Sequence, residues 1–242
     1  MPVSTVGVFT ITEKATRRDF LLRNPLFQDV PADILDSLVE ITSLRQLPDR
    51  ARLYEKGAPP DGMYAVLKGC IRASSTTAEG REALLALFEE GCWFGESSAL
   101  EGTPRNYQAD AQGDCELLFV PRDRLTDLLE AQPTLYRYII PFLCQRIRLS
   151  TLLLENNALL TMEERLASRL LLLAQNILQG ANAQPRQTLK VSQENLSLML
   201  GTSRQSINKV LRDWERSGLI ELHYSSITLC DLDALQRLAA PD

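Results

Sequence analysis

PTLYRYIIPFLCQRIRLSTLLLENNALL, residues 133–160, is the stretch around which the chain is organised. It is rich in Leu and Ile, and after its first residue it is interrupted only by Pro141. One apolar stripe at heptad spacing runs through Ile140, Leu143, Ile147, Ser150, Leu154 and Asn157. A second runs through Leu135, Ile139, Phe142, Leu149, Leu153, Asn156 and Leu160. A helix that is apolar on two faces needs two partners. One face can lie against the helix's own domain, and the other can pair with the same helix of a second copy as a short parallel coiled coil, which predicts a homodimer. Ser150, Thr151, Asn156 and Asn157 fall near the middle of the seam, where polar groups cost stability unless they fix register or hold a ligand. A buried helix within one large monomeric domain is the weaker alternative, because the segments on either side differ in kind.

Upstream, residues 1–19 are polar and unpatterned and are expected to form a tail. From Phe20 to Leu44 the text has helical periodicity, with Asn24, Pro25 and Pro31 as start signals. From Arg45 to Pro121 the period changes, and glycines cut the chain into short strand-like runs such as MYAVLKGCIRA, EALLALF and CELLFV. Such runs at near-regular turn spacing predict an antiparallel sandwich or roll. The helical period returns at Asp123–Ala131. Beyond the central helix a second helix is expected from about Met162 to Gln179, then a polar turn at residues 180–186, two short helices and a hairpin. The expected class is α+β, with a tail (1–19), a β-roll (20–131), a dimerising helix (132–160) and a small C-terminal module (161–242).

A chain of 242 residues can bury one large or two modest cores. Its net charge of −5 excludes a wholly basic nucleic-acid coat, so any DNA contact must come from a local patch. The sequence has no leader-like start and no apolar run of membrane length, and the expectation is a soluble cytoplasmic protein without membrane contact. Cys70, Cys92, Cys115, Cys144 and Cys230 are scattered without a CxxC pair, which argues against a metal site or a disulfide framework. The only histidine is His223, and no G-x-S-x-G elbow is present, so no catalytic residue is assigned.

Within the roll, residues 93–105 read WFGESSALEGTPR. Small residues let a ligand approach the backbone, whose N–H groups can point at an anion. Arg105 offers a planar fork for a phosphate, and Glu96 can accept hydrogen bonds from sugar hydroxyls. The pair suits a phosphorylated sugar ring. The F-G-E triplet, followed nine residues after the Glu by the Arg of G-T-P-R, resembles the phosphate-binding cassette of the cyclic-nucleotide-binding domain. PPDGMYAVLKGCIRA resembles a second signature of the same domain.

Ser150–Thr151 sits where cAMP-dependent members of the bacterial CRP/FNR family carry a Thr–Ser pair that contacts adenine, one of the two from the other subunit. The match places Ser150 on the dimer seam. The effector residues that the resemblance implies are Gly95, Glu96, Ser97, Arg105, Asn106, Ser150 and Thr151. Ser97–Ser98 replaces the usual apolar or small residues, and Asn106 replaces a usual Ser, Thr or Ala. A bound cyclic nucleotide such as cAMP is the expected effector. The alternative is a pairing of Glu96 with Arg105 across the turn, as in relatives that bind no nucleotide.

Residues 192–218 read SQENLSLMLGTSRQSINKVLRDWERSG. A first helix starts at a Ser cap with Glu194 near its start and buries Leu196, Met199 and Leu200, and Gly201 makes the turn. A second helix starting at Ser203 or Thr202 buries Ile207, Val210, Leu211 and Trp214 and presents Arg204, Gln205, Asn208 and Lys209. That spacing is a helix-turn-helix. Arg and Lys read guanine, Gln and Asn read adenine, and each good bidentate contact is worth roughly 1–3 kcal/mol. Ser192, Ser203 and Ser206 are short donors suited to phosphate oxygens. SGLIELHYSSITLCD supplies a two-stranded wing containing His223. The alternative is a small protein-binding helical module with Arg204 and Lys209 as a solvated face.

S-R-Q-S-I-N-K-V-L is similar to the recognition helix of the CRP/FNR family, and the resemblance covers about residues 20–230. Gln205 replaces a usual Glu and Asn208 a usual Gly or Ser, so the half-sites should be related to the family's common ones without being identical. The resemblance implies a homodimeric regulator, not an enzyme, that binds a pseudo-palindromic operator and works with RNA polymerase. Effector binding would reorient the DNA modules through a hinge near residues 157–162, with the recognition helices about 34 Å apart. Neither an iron–sulfur cluster, which needs clustered cysteines, nor haem, which needs a histidine in the roll or helix, is expected. A regulator with another effector or none, the regulatory subunit of a cyclic-nucleotide-controlled enzyme, and a purely structural dimer are the rivals.

Overall fold

A computed structural model of the chain describes residues 14–175, 178 and 187–239. Its centre is the long strand β3 (Gly62–Thr76), flanked on one side by β6 (Gln108–Pro121) and on the other by β4 (Glu82–Glu89). β1 (Ser43–Leu47) and β2 (Arg52–Tyr54) pair with β6, β5 (Trp93–Phe94) pairs with β3, and every pairing is antiparallel. Because side chains alternate along a strand, β3 feeds two cores. Met63, Ala65 and Leu67 face the flanking helices, whereas Tyr64, Val66 and Ile71 face the interior of the curled sheet. That interior is aromatic, with Tyr64 and Phe88 each stacked on Phe94 at centroid distances of 5.4 and 4.9 Å.

The N-terminal segment departs from expectation. Residues 14–19, expected in a tail, belong to a helix, α1 (Lys14–Arg23), followed by α2 (Pro25–Gln28) and α3 (Ala32–Ile41). Their polar side chains hide the pattern because they bond across to α3 and its end: Arg18 to Asp36, and Arg17 to the Thr42 carbonyl at 2.7 Å. Within the helical stretch expected to reach Leu44, Asn24 and Pro31 start new helices as their sequence signals predict, Asn24 capping α2 by accepting from the Leu26 N–H, but the stretch ends before β1, where Leu44 pairs with Leu118.

Two further helices belong to the roll: α4 (Glu96–Glu101) after β5 and α5 (Arg122–Ala131) after β6. After a 3-10 turn at Pro133–Leu135 the long helix α6 (Tyr136–Leu159) begins. Its two stripes separate. Leu135 and Phe142 are buried against the roll, and Ile139 packs there as well. Ile140, Ile147 and Leu154 stand exposed at 54, 64 and 70%. Leu160 leaves the helical backbone, and Thr161 caps α7 (Met162–Ala174) with Glu164 in a reciprocal capping box. The break falls within residues 157–162, and Asn156 reaches across it to donate to Ser168 at 2.7 Å. The expected extension of α7 to Gln179 stops short, with Gln175 as its C-cap. The polar turn expected at residues 180–186 lies outside the described residues.

The C-terminal module is α8 (Gln193–Leu200), α9 (Arg204–Arg216), and a sheet in which β9 (Ser226–Leu229) pairs with both β7 (Thr188–Leu189) and β8 (Ile220–His223), closed by α10 (Leu232–Ala239). Its core gathers Leu166, Leu170, Leu196, Leu211, Trp214 and Leu235, and it also takes in Leu84 and Leu87 from β4 of the roll. Among the described residues no helix is long and apolar enough to cross a membrane.

Candidate functional site

Where β4, the start of α4, α6, α7 and α8 meet, they line a cavity of about 210 Å³ that is open on one side. Its wall is largely apolar, with Phe88, Leu149, Leu153, Leu172 and Met199, and its polar groups are Glu96, Ser97, Tyr107, Arg146, Ser150 and Arg169. Gly95 adopts φ +79° and turns β5 into α4 so that Glu96 points inward. A Cβ at Gly95 would meet the Arg105 guanidinium at 2.7 Å, so both space and backbone demand glycine there. Glu96 lies 3.5 Å from Arg146 Nε. Burial pushes its carboxyl above the usual range, and the Arg146 charge offsets this only in part. Arg146 in turn donates to the Trp93 carbonyl at 2.6 Å and lies over the Phe142 ring at 4.8 Å.

The seven residues expected to form the effector site divide. Glu96, Ser97 and Ser150 line the cavity, whereas Gly95, Arg105, Asn106 and Thr151 do not. Arg105 is 3% exposed, and it does not pair with Glu96 across the turn. It donates to the Gly95 carbonyl (3.0 Å), the Gly62 carbonyl (2.6 Å) and Asp61 Oδ1 (2.7 Å), and stacks over Tyr54 at 4.3 Å. Asp61 also accepts from Tyr64 (2.6 Å) and Arg45 (2.9 Å). Thr151 is exposed on α6 and donates back to the Ile147 carbonyl.

Sequence reasoning missed Arg146 and Arg169. Arg146 was within reach: it fills the apolar heptad position between Phe142 and Leu149 on the inward stripe, and a lone cation in such a position marks a buried charge that needs a partner.

The second candidate surface is on the C-terminal module. Ser192 caps α8 by accepting from the Asn195 N–H at 3.0 Å, Gly201 turns at φ +61°, and Ser203 caps α9 by accepting from the Ser206 N–H at 3.0 Å. Ile207, Val210, Leu211 and Trp214 anchor α9 on the core, leaving Arg204, Gln205 and Lys209 exposed. Asn208 is half-buried and donates to Gln193 at 2.8 Å. A cleft of about 320 Å³ runs from this helix to the wing, where Arg204, Arg212, His223 and the fully exposed Tyr224 line it. Arg212 and Tyr224 are further residues that the sequence did not single out.

Residues 44–132 match the cyclic nucleotide-binding domain family, and residues 164–238 match the Crp-like helix-turn-helix domain family. The chain is 30% identical over 181 residues to the transcriptional regulator SdrP of Thermus thermophilus, covering 75% of this chain and 85% of that one. It belongs to the CRP/FNR family of transcription regulators. A CRP-like cAMP-activated global transcriptional regulator of Mycobacterium tuberculosis is 26% identical over 221 residues, covering 91% of this chain and 99% of that one. The global nitrogen regulator of Synechocystis is 29% identical over 192 residues, covering 78 and 85%. In three dimensions a CRP/FNR-family regulator from Thermus thermophilus superposes with a TM-score of 0.63 at 27% identity, over 81% of this chain and 98% of that one. As a CRP/FNR protein the chain is a DNA-binding regulator and not an enzyme. α8 and α9 are its helix-turn-helix, and β8–β9 is its wing.

Proposed function

We propose that this CRP/FNR protein is a homodimer whose affinity for a pseudo-palindromic operator is set by a small acidic effector, a cyclic nucleotide such as cAMP, held in the cavity between the roll, α6 and the DNA-binding module. The observation that carries this reading is the cavity itself. Glu96 and Ser97 of the cassette and Ser150 of α6 converge there beside the half-buried Arg146, with one wall belonging to the module that binds DNA. A ligand there touches both halves of the chain, and so it can favour one arrangement of them over another. Ser192, Ser203, Arg204, Gln205, Ser206, Asn208 and Lys209 are the proposed DNA contacts, and the exposed stripe of α6 is the proposed seam. Thr151, on that outer side, would then face the partner's pocket. RNA polymerase is the proposed partner at the promoter, in the compartment that holds the DNA.

Calorimetry of nucleotide-stripped protein with cAMP and cGMP, with Glu96→Ala as control, tests the effector. Saturable micromolar binding of one nucleotide, lost in the variant, is the expected result, and silence from both would sink the cyclic-nucleotide reading. Selection from random genomic fragments tests the rest, and recovery of no palindrome would overturn operator recognition. One observation favours a different acidic effector: in this arrangement the cassette arginine, Arg105, is engaged by Asp61 and not by the cavity.

A further inference from the structure

We infer that Arg169, on the first helix of the DNA-binding module, is an anion-binding residue of the effector cavity, and that the acidic group of the effector bridges Arg169 to Arg146 of α6. The inference deepens the effector reading and rests on it for the location of the site.

The charges around the cavity do not balance. Glu96 and Arg146 face one another, with side chains 12 and 18% exposed, and so neutralise each other. Arg169 lines the same cavity, and no carboxylate or carbonyl accepts from it among the described residues; its Nε is buried without a hydrogen-bond partner. Burial lowers its basicity, and among the described residues no neighbouring charge raises it. A guanidinium cannot lose its proton in a protein, so among the described residues the cavity holds one uncompensated positive charge. An unpaired, half-buried cation is costly, and the cost is relieved when an anion enters.

The surroundings narrow the class of ligand. Phe88, Leu153, Leu172 and Met199 offer an apolar body contact, so the cavity suits an amphipathic molecule with a ring or chain and one acidic group, phosphate or carboxylate. The position of Arg169 also has a regulatory meaning. Because it stands on α7, next in sequence to Leu170, which packs into the DNA module's core, an anion that bridges it to α6 ties that module to the sensor through its own charge.

The test compares two dyes with a common aromatic body. 8-Anilinonaphthalene-1-sulfonate carries one sulfonate, and N-phenyl-1-naphthylamine carries none. With the full-length protein, Arg169→Gln is expected to weaken sulfonate binding about tenfold, as loss of a charged hydrogen bond does, and to leave the neutral dye unchanged. Arg169→Lys is expected to restore most of the loss. Unchanged sulfonate affinity in Arg169→Gln, or equal losses for both dyes, would overturn the inference, the second by showing a packing role. Retained binding of the neutral dye also shows that the variant has kept its fold. The dye comparison is independent of the nucleotide titration, so a protein silent to cAMP fails the cyclic-nucleotide reading without deciding the fate of Arg169.

Discussion

Arg105 and Asp61, 44 residues apart in sequence, form a 2.7 Å ion pair beneath the cassette that fixes the turn carrying Glu96. The same guanidinium holds the carbonyls of Gly62 and Gly95, so it joins β3 to the turn after β5.

Removing this arginine tests the protein's stability before it tests ligand binding. Arg105→Ala removes one donor each from the Gly62 carbonyl, from the Gly95 carbonyl, which keeps the Ala99 N–H, and from Asp61, which keeps Tyr64 and Arg45, and it should cost about 3 kcal/mol. Urea unfolding of the ligand-free protein reads the effect, and an unchanged midpoint would refute the clamp. Gly95→Ala should be destabilising for a related reason, because its methyl group would run into the same guanidinium.

The two carboxylates respond to acid in opposite directions. Burial raises the pKa of Asp61, but donors from Tyr64, Arg105 and Arg45 outweigh it and hold the group below its usual range. Its contribution is therefore full above the unfolded value, near pH 4, and is lost as pH falls through the folded value. Glu96 is held above its usual range by burial, so its ionised form burdens the fold at neutral pH and the burden lifts on acidification. Glu96→Gln should raise the Tm of the ligand-free protein at pH 7, with a smaller gain at pH 4. A lower Tm at pH 7 would show that the pair with Arg146 dominates instead.

On the outer stripe of α6, Ile147→Glu or Leu154→Glu places a charge in the proposed seam. Sedimentation should show a dimer for the parent protein and at least a tenfold weaker self-association for either variant. Each residue is more than 60% exposed in the single chain, so folding should be untouched. A monomeric parent would end the dimer reading.

For DNA, Arg204→Ala and Lys209→Ala should each lose about 1–3 kcal/mol of operator affinity with a preserved circular dichroism spectrum. Ile207→Ala should instead unfold the module, because Ile207 is fully buried beneath α9. Equal operator binding by Arg204→Ala would move recognition elsewhere on the cleft.

Much of this was legible in the sequence because it rests on periodicity and local capping. Phe142 and Ile147 were assigned to opposite faces of α6 by spacing alone, and Ser192, Gly201 and Ser203 mark the helix-turn-helix because each serves its own nearest backbone. The segment Lys14–Asp19 was not legible, since its helix is held by side chains of α3 far along the chain. The cassette motif places the backbone of Arg105 but not the direction of its guanidinium, which Asp61 decides from a strand away. Two smaller elements also escaped. β7 is only two residues long and exists by pairing with distant β9, whereas α10 was passed over although a local cap marks its start, Asp231 accepting from the Ala234 N–H.

Leu84 and Leu87 of β4 lie in the same apolar core as Leu196 and Trp214. Modular exchange therefore has a cost in this protein. A chimera that carries α7 to α10 onto another sensor inherits a hydrophobic patch shaped for β4, and it will aggregate unless the recipient strand presents two leucine-sized side chains three residues apart. The portable unit for engineers is the DNA module together with the outer face of one sensor strand.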